Sequence, residues 1–288
     1  MILKSYAKVN LYLRVLNKRK DNFHNLNTVF ERIDLCDKIV LRSRRDNAIR
    51  IFCKNPDVPA DDSNLCFRAA RLLQEKSKVN KGVDIKIIKN IPVGAGLGGG
   101  SGNAAAVLVG LNKLWKLDLS RKRLIQIGSQ IGSDIAFFIY DTSFAKGFGR
   151  GEKIKPLARL KKIRLWHILV VPKIHVSTPL IYRKWDESIG LTAPRDGVKI
   201  LLPALYKHDL SRIGERLFNS LEAITIRLYP EVKKVKESLA ESGLKTILMS
   251  GSGPAVFGIT TSRKEAVLLC RKFAKEEPSW RVFATRTR

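Results

Sequence analysis

Residues 3–15 alternate between apolar and polar side chains with a period of two. One face carries the apolar positions Leu3, Ala7, Val9, Leu11, Leu13 and Val15. The other face carries Tyr6, Lys8, Asn10, Tyr12 and Arg14. Successive side chains of a β-strand point to opposite faces, so this pattern predicts a half-buried strand whose polar face is free for function.

Further apolar segments predict a mixture of strands and helices. We expect strands at 28–34, 38–42, 48–53, 83–91, 166–171 and 280–286, a hairpin at 143–151, and a strand, glycine turn and strand at 247–259. We expect helices at 65–76, 101–115, 120–131, 135–140 and 263–275, and helical stretches between 180 and 236. The segment 61–64 supplies capping side chains for the first helix. Because strands and helices mix without steady β-α-β alternation, the pattern favours an α+β fold.

Segment 91–105, IPVGAGLGGGSGNAA, lies between a predicted strand and a predicted helix. Five glycines fall between Gly94 and Gly100, and Ser101, Gly102 and Asn103 follow. Glycine lets backbone N–H groups point into one concavity, and the free N–H groups and dipole of a helix N-terminus attract an anion. The segment therefore predicts a phosphate-binding loop.

Two common phosphate motifs and a plain linker compete for this segment. The Walker A pattern fails because Gly100 stands where its lysine is required. Gly94, Gly96 and Gly99 fit the Rossmann pattern, but that fold needs a strand directly after the helix, and 120–131 predicts a second helix. A flexible linker would lack the apolar segments that flank this loop on both sides.

The chain is strongly basic. Its 54 Lys and Arg against 26 Asp and Glu give a formal net charge of +28, spread along the whole length. Such a charge fits nucleic acid, an anionic membrane surface or anionic small substrates. The sequence has no basic tail and no RNP-like aromatic motif to select nucleic acid among them.

The remaining composition points to an ordinary cytoplasmic protein. No run reaches the roughly 18 apolar residues of a membrane span, and the start of the chain lacks the apolar segment of a signal peptide. The four cysteines are scattered without a C-x-x-C pair, and the four histidines form no clustered metal set. We therefore expect reduced thiols, no structural zinc and no membrane partner.

Seven segments resemble, in order, the signature segments of the GHMP kinases, the superfamily of galactose, homoserine, mevalonate and phosphomevalonate kinases. They are AKVNLYL (7–13), DNFHNL (21–26), Asn64 with RAARLL (68–73), IPVGAGLGGGSGNAA (91–105), IGSDIAFF (131–138), AKGFGRGEKI (145–154) and SGSGPAVFG (250–258). The resemblance implies an α+β, two-domain GHMP kinase fold. A ribosomal-S5-like N-terminal domain with the ATP and catalytic sites would span 1–156, a ferredoxin-like C-terminal domain would span 157–288, and the ligand cleft would lie between them.

The same resemblance implies an activity. GHMP kinases that carry all of these segments use ATP to phosphorylate the 2-hydroxyl of 4-diphosphocytidyl-2-C-methyl-D-erythritol, in the non-mevalonate route to isoprenoid precursors. Lys8 and Asp134 would be the catalytic pair. Asp134 would take the hydroxyl proton, and Lys8 would orient Asp134 and offset developing negative charge. Mg²⁺ is expected with ATP, although no carboxylate cage is visible in the sequence, and nothing in the sequence sets the oligomeric state.

The resemblance also implies two sets of binding residues. ATP would contact Asn64, Lys89, Pro92, Val93, Gly94, Ala95, Gly96, Leu97, Gly98, Gly99, Gly100, Ser101 and Gly102. The acceptor would contact Asn10, Phe23, His24 and Tyr182. Phe23 and Tyr182 would stack on the two faces of the cytosine ring, and His24 would pair with its edge.

Four positions depart from the usual family pattern. Gly102 replaces a second serine, Phe23 a tyrosine, Asn22 a glycine, and Ala136 a proline. None of these changes removes the acid–base pair. Gly102 lacks a hydroxyl that would contact phosphate, and Asn22 is among the residues that best tolerate a positive φ.

Two other functions compete with this interpretation. A GHMP kinase for mevalonate or homoserine is disfavoured by DNFHNL (21–26) and by Tyr182, because those substrates have no base to stack. An RNA-binding protein built on an S5-like domain would explain the net charge of +28, but it would not need the intact loop at 94–103. We therefore expect small-molecule substrates and no specific nucleic-acid partner.

Overall fold

The computed structural model describes residues 1–188 and 197–288. Its strands are β1 (Ile2–Lys18), β2 (His24–Arg44), β3 (Ile49–Cys53), β4 (Gly82–Ile88), β5 (Phe144–Gly149), β6 (Lys153–Pro156), β7 (Trp166–Val171), β8 (Phe218–Asn219), β9 (Ile247–Met249), β10 (Val256–Thr260) and β11 (Arg281–Arg286). Its α-helices are α1 (Leu65–Ser77), α2 (Gly99–Leu114), α3 (Arg121–Gly128), α4 (Ile135–Tyr140), α5 (Thr178–Asp186), α6 (Gly197–Lys207), α7 (Leu210–Gly214), α8 (Glu222–Leu228), α9 (Pro230–Glu241) and α10 (Arg263–Glu276). The α+β prediction is confirmed. The part of the helical prediction that falls on 189–196 lies outside the described residues.

The first sheet has seven strands, with β3, β4, β2, β1 and β8 side by side in that order. The hairpin β5–β6 joins it through β2. Helices α1 to α4 pack on one face of this sheet through residues such as Leu73, Leu108 and Ile135. Helix α2 is followed by a second helix, α3, and not by a strand. This order excludes the Rossmann fold, which needs a strand at that point.

Strand β1 differs from its predicted half-buried state. Lys8, Asn10 and Tyr12 on the polar face are only 4%, 2% and 1% exposed. The register of β1 against β2 shifts at three places, so the simple alternation is not maintained. Later parts of the chain cover the polar face, with the Phe218 ring 5.6 Å from that of Tyr12. The prediction of an open polar face was wrong because these covering segments are distant in sequence.

Strand β2 is one continuous strand where the sequence predicts two. Asp34 and Leu35 fall opposite the step between Tyr6 and Ala7, where the register against β1 shifts. The two residues are therefore accommodated as an irregularity inside the strand. Strand β2 therefore continues through the predicted break. It pairs with β5 at one end and with β4 at the other.

The second sheet has four strands in the order β11, β7, β10 and β9. All three neighbouring pairs are antiparallel. Helices α5 to α9 and the short β8 connect β7 to β9, and α10 connects β10 to β11. Numbered within this sheet the strand order is 4-1-3-2 with a helical connection in each half, which is the split βαβ arrangement of ferredoxin-like domains.

The two sheets share a core. Leu11 and Phe144 from the first sheet pack with Leu169 and Phe257 from the second. The preceding residue of β7, Ile168, faces the opposite way, into the cluster formed with α8, α9 and α10. The division at residue 156 stays a prediction; β8 comes from the later half of the chain and pairs with β1 of the first sheet. None of the described helices is both long and apolar enough to cross a membrane.

Candidate active site

A buried carboxylate fixes the entry to the glycine loop. Asp37 of β2 has no exposed surface. It accepts hydrogen bonds from the backbone N–H groups of Asn90 at 2.7 Å and Ile91 at 2.8 Å, and from Lys89 Nζ at 2.5 Å. These bonds end β4 at Ile88, before the predicted end of that strand. Sequence reasoning missed Asp37, which falls in the gap between the two strands predicted at 28–34 and 38–42.

The glycine loop and the start of α2 line a cavity of about 490 Å³. Gly96 and Gly98 have φ angles of 74° and 67°, which only glycine adopts without strain. Helix α2 begins at Gly99 with no side-chain cap and no acid in its first turn. Its first N–H groups therefore remain free for an anion. The predicted ATP residues that line this cavity are Asn64, Lys89, Pro92, Val93, Gly94, Ala95, Gly96, Leu97, Gly98, Gly99, Gly100 and Ser101.

Gly102 lies outside that lining. A Cβ at this position would be 2.9 Å from both Ser5 Oγ and the carbonyl oxygen of Tyr6. A serine side chain at 102 would therefore point at β1 and not into the nucleotide cavity. Ser5 Oγ itself donates to Asn103 Oδ1 at 2.8 Å, so a hydroxyl from β1 occupies this region.

Two glycine turns meet at the loop. The Ser250 hydroxyl donates to the carbonyl oxygen of Gly96 at 3.0 Å. The Ala255 N–H approaches the carbonyl oxygen of Ala95 at 3.4 Å. The segment around Gly251, which the sequence predicts as a turn between two strands, thus buttresses the loop from the second sheet.

Lys8 and Asp134 come together as the sequence predicts. Lys8 Nζ lies 3.5 Å from Asp134 Oδ2 and donates to Asn10 Oδ1 at 2.6 Å. The Lys8 side chain is 6% exposed and that of Asp134 is 29% exposed. Asn10 is held in turn by its amide, which donates to Thr28 Oγ1 at 2.8 Å. Asn10 therefore holds the Lys8 ammonium group in place, while the Asp134 carboxylate remains accessible.

Asp134 does not cap its helix. It occupies the N-cap position of α4, but its side chain makes no capping hydrogen bond, and its φ and ψ of −75° and −12° are already helical. A capping aspartate has extended backbone and accepts from an N–H of the first turn. The structure therefore leaves this carboxylate free for a ligand.

Lys8 and Asp134 lie in a second cavity, of about 690 Å³, which also contains the predicted acceptor residues. Those residues are Asn10, Phe23, His24 and Tyr182. The two cavities share Gly96, Gly98 and Thr178, so they are continuous at the glycine loop. The Lys8 backbone N–H donates to the carbonyl oxygen of Leu97 at 3.0 Å, which attaches β1 to this junction.

The far end of this cavity is aromatic. The His24 ring stacks on Tyr182 with centroids 5.2 Å apart and planes at 26°, and Trp185 meets it edge-on. Phe23 is 52% exposed and follows Asn22, whose φ of 63° turns the chain as expected for this departure from glycine. One face of the Tyr182 ring is therefore covered by His24, and the stacking of a base between Phe23 and Tyr182 stays a prediction.

Asp186, which sequence reasoning missed, organises this end. It accepts from His24 Nε2 at 2.6 Å and from Lys18 Nζ at 2.7 Å. Burial opposes the charge on Asp186, but these two hydrogen bonds outweigh burial and hold the pKa of its carboxyl below the ordinary value. Burial also raises the pKa of the Tyr182 phenol, with a further contribution from Asp134. Because Asp186 occupies Nε2, a contact between the His24 ring and a base edge would use Nδ1.

The described ranges 1–188 and 197–288 hold no group of three His, Cys, Asp or Glu side chains that could form a metal site. The four cysteines are free thiols. Burial raises the pKa of Cys66, beside the nucleotide cavity, to about 12. The site therefore combines the cavity at the glycine loop with a second cavity that holds the accessible Asp134 carboxylate next to Lys8.

Comparisons with known proteins agree with this geometry. The family model for the GHMP kinases N terminal domain matches residues 64–142, and that for the GHMP kinases C terminal region matches 201–278. The 4-diphosphocytidyl-2-C-methyl-D-erythritol kinase of Geobacillus sp. (strain WCH70) is 44% identical over 90% of this chain and 88% of its own length. The enzyme of the same name from Gloeobacter violaceus is 41% identical over 99% and 93%.

A solved structure gives the same result. The crystal structure of a 4-(cytidine 5'-diphospho)-2C-methyl-D-erythritol kinase superposes with a TM-score of 0.80 at 34% identity, covering 99% of this chain and 98% of that one. Identity at this level over nearly the full length, together with both family models, leaves one assignment. This chain is a GHMP kinase and belongs to the 4-diphosphocytidyl-2-C-methyl-D-erythritol kinase family.

Proposed function

We propose that this protein phosphorylates 4-diphosphocytidyl-2-C-methyl-D-erythritol, the substrate in its relatives' names. The γ-phosphoryl group of ATP would go to the 2-hydroxyl, in the formation of isoprenoid precursors. ATP would occupy the 490 Å³ cavity and the acceptor the 690 Å³ cavity. The observation that carries the proposal is the Lys8–Asp134 pair, which lies where the two cavities join. Phosphoryl transfer needs its two substrates held in line at such a junction.

The chemistry follows from the charges at the junction. Asp134 accepts the proton of the 2-hydroxyl as the hydroxyl oxygen attacks the γ-phosphorus, and ADP leaves. Lys8 holds Asp134 in place and offsets the negative charge that develops on the transferred group. The N–H groups at the start of α2 bind the phosphates in the ground state and in the transition state. Since Lys8 is nearly buried, water screens this charge only weakly.

Mg²⁺ would be held mainly by the phosphates of ATP. The oxygen ligands that the protein offers nearby are the Ser101 hydroxyl and the Asp134 carboxylate. Ser101 Oγ lies 3.8 Å from the position of a Cβ on Gly132, so it faces the segment that leads to Asp134. When bound, the ion neutralises charge on the β- and γ-phosphates. Two such ligands fit an ion that is carried by its nucleotide and do not form a resident metal site.

The aromatic end of the acceptor cavity supports a substrate that carries a base. Phe23, His24 and Tyr182 line it, and Trp185 packs against the His24 ring. Mevalonate and homoserine have no ring to place there. Stacking of a base on an aromatic side chain contributes roughly 1–3 kcal/mol, enough to select a cytidine-linked alcohol over a free one.

The experiment replaces the accessible carboxylate. Asp134→Asn should lower kcat by ~10²–10⁴-fold, the usual contribution of a positioned general base, while calorimetry shows ATP affinity within about twofold of wild type. Asp118→Asn is a matched control, because Asp118 is exposed and outside both cavities and its φ of 50° suits asparagine. Turnover is measured with the cytidine-linked acceptor, mevalonate and homoserine. Wild-type kcat in Asp134→Asn, or turnover of mevalonate in preference, would overturn the proposal.

A further inference from the structure

The acceptor cavity holds more positive charge than its carboxylates neutralise. Its lysines and arginines are Lys8, Lys18, Arg150 and Arg183. Lys8 pairs with Asp134, and Lys18 pairs with Asp186. Of the described residues, no acid forms a salt bridge with Arg150 or Arg183. Two guanidinium groups thus face a cavity that binds an anionic molecule in the proposed reaction.

Arg150 is the more firmly placed of the two. It lies in the turn between β5 and β6, half-buried, and its backbone N–H donates to Glu152 Oε2 at 2.6 Å. Its Nη2 donates to the carbonyl oxygen of Ser129 at 3.2 Å. Its guanidinium carbon lies 4.9 Å from the centre of the Phe23 ring, a cation–π contact. Arg183 is exposed on α5 and has no comparable support.

The position of Arg150 lies between the base end and the reacting end of the cavity. On one side its guanidinium contacts Phe23. On the other side the next residue, Gly151, is so close to the catalytic carboxylate that a Cβ there would lie 3.8 Å from Asp134 Oδ1. In the proposed acceptor the diphosphate joins the cytidine to the alcohol that reacts. A base near Phe23 and a hydroxyl near Asp134 therefore place the diphosphate next to Arg150.

We propose that Arg150 binds the diphosphate of the acceptor and thereby makes the enzyme specific for diphosphate-linked alcohols. The proposal rests on the function proposed above. Guanidinium groups bind phosphate oxygens through two parallel N–H donors, which a lysine does not reproduce. The Phe23 ring and the Ser129 carbonyl hold the guanidinium plane before the substrate arrives, so less side-chain entropy is lost on binding. In the sequence, Arg150 belongs to the segment AKGFGRGEKI (145–154), and nothing there indicates a separate role for it.

Binding measurements test this without turnover. Cytidine 5'-diphosphate and cytidine are titrated calorimetrically into the full-length protein, with the nucleotide cavity filled by a non-hydrolysable ATP analogue. In Arg150→Gln we expect a loss of ~10-fold or more in affinity for cytidine diphosphate and less than about twofold for cytidine. Arg150→Lys should lie between the two, since it keeps the charge and loses the paired donors. With the true acceptor, KM should rise more than kcat falls.

Arg123→Gln is the matched control for net charge, because Arg123 is exposed on α3 and outside both cavities. It should leave both affinities unchanged. Equal loss of cytidine and cytidine diphosphate in Arg150→Gln would overturn the proposal and leave Arg150 as a support for Phe23. If Arg123→Gln lost as much affinity for cytidine diphosphate as Arg150→Gln, the proposal would be overturned. The effect would then come from the net charge of the protein and not from a contact with Arg150. If the wild type turns over the acceptor and Arg150→Gln binds cytidine diphosphate normally, only the assignment of Arg150 is wrong. If the wild type turns over no cytidine-linked acceptor, the proposed function is wrong.

Discussion

Gly96→Ala is expected to damage ATP use far more than its single added methyl group suggests. Gly96 is the point where the glycine loop contacts the turn of the second sheet, and its φ is 74°. A Cβ at this position would lie 2.1 Å from the carbonyl oxygen of Ser250 and 3.2 Å from that of Gly253. Because real Cβ atoms essentially never approach another atom below 3.0 Å, the loop must withdraw by about 0.9 Å.

The magnitude has two parts. A left-handed backbone costs a residue with a Cβ about 1–2 kcal/mol, which lowers the free energy of unfolding. The displacement of the loop acts on catalysis, since moving bound phosphates by ~1 Å relative to the reacting hydroxyl costs on the order of 10²-fold in rate. We therefore expect kcat/KM for ATP to fall by ~10²-fold in Gly96→Ala.

Gly94→Ala separates these two effects. Gly94 has a φ of 67°, so the backbone penalty is nearly the same, but its Cβ would meet only the side chain of His175, at 3.3 Å. Its free energy of unfolding should fall by a similar ~1–2 kcal/mol, while kcat/KM for ATP stays within a few-fold of wild type. The measurements are urea denaturation and ATP saturation kinetics on both variants. Equal kcat/KM values in the two variants would refute the close contact as the cause.

Two further predictions concern buried and paired carboxylates. Asp37→Asn leaves the Lys89 charge almost buried without its partner, so urea denaturation should show a loss of about 3–5 kcal/mol and kinetics a raised KM for ATP; unchanged stability would contradict the role of Asp37. Asp186 has a pKa below its ordinary 3.8 in the folded protein, so its stabilising contribution is full above that value and is lost as the pH falls through the folded-state pKa. The free energy of unfolding of the wild type should therefore fall more steeply below about pH 4 than that of Asp186→Asn, and parallel curves would exclude this contribution.

Features set by local chemistry could be predicted from the sequence. Asn64 caps α1 by accepting from the Cys66 N–H at 2.8 Å, and Ser120 caps α3 in the same way through Arg123. Strand β7 has the predicted bounds, and a glycine turn joins β9 to β10 as expected. In each case the signal and its partner lie within a few residues, so a pattern along the chain is enough to find them.

Features set by distant partners could not be predicted in this way. Asp37 binds Lys89 and the backbone of Ile91 across more than 50 positions of sequence. Asp186 binds His24 across 162 positions. A single sequence shows these acids only as charges near apolar segments. The burial of Lys8 was missed for the same reason, because its neighbours Gly98, Asp134 and Gly251 are distant in sequence.

Strand β1 contacts both of the proposed substrate cavities. The backbone N–H of Lys8 is bound to the carbonyl oxygen of Leu97 in the glycine loop, while its side chain reaches Asn10 and Asp134 in the acceptor cavity. Because Lys8 contacts both, a shift of β1 along its axis would disturb the glycine loop and the Lys8–Asp134 pair together. Their relative positions therefore depend on one short stretch of backbone, and burial on both faces makes that stretch hard to displace. This accounts for a polar segment in the core, since a lysine on an open sheet face would be held less firmly and screened by water.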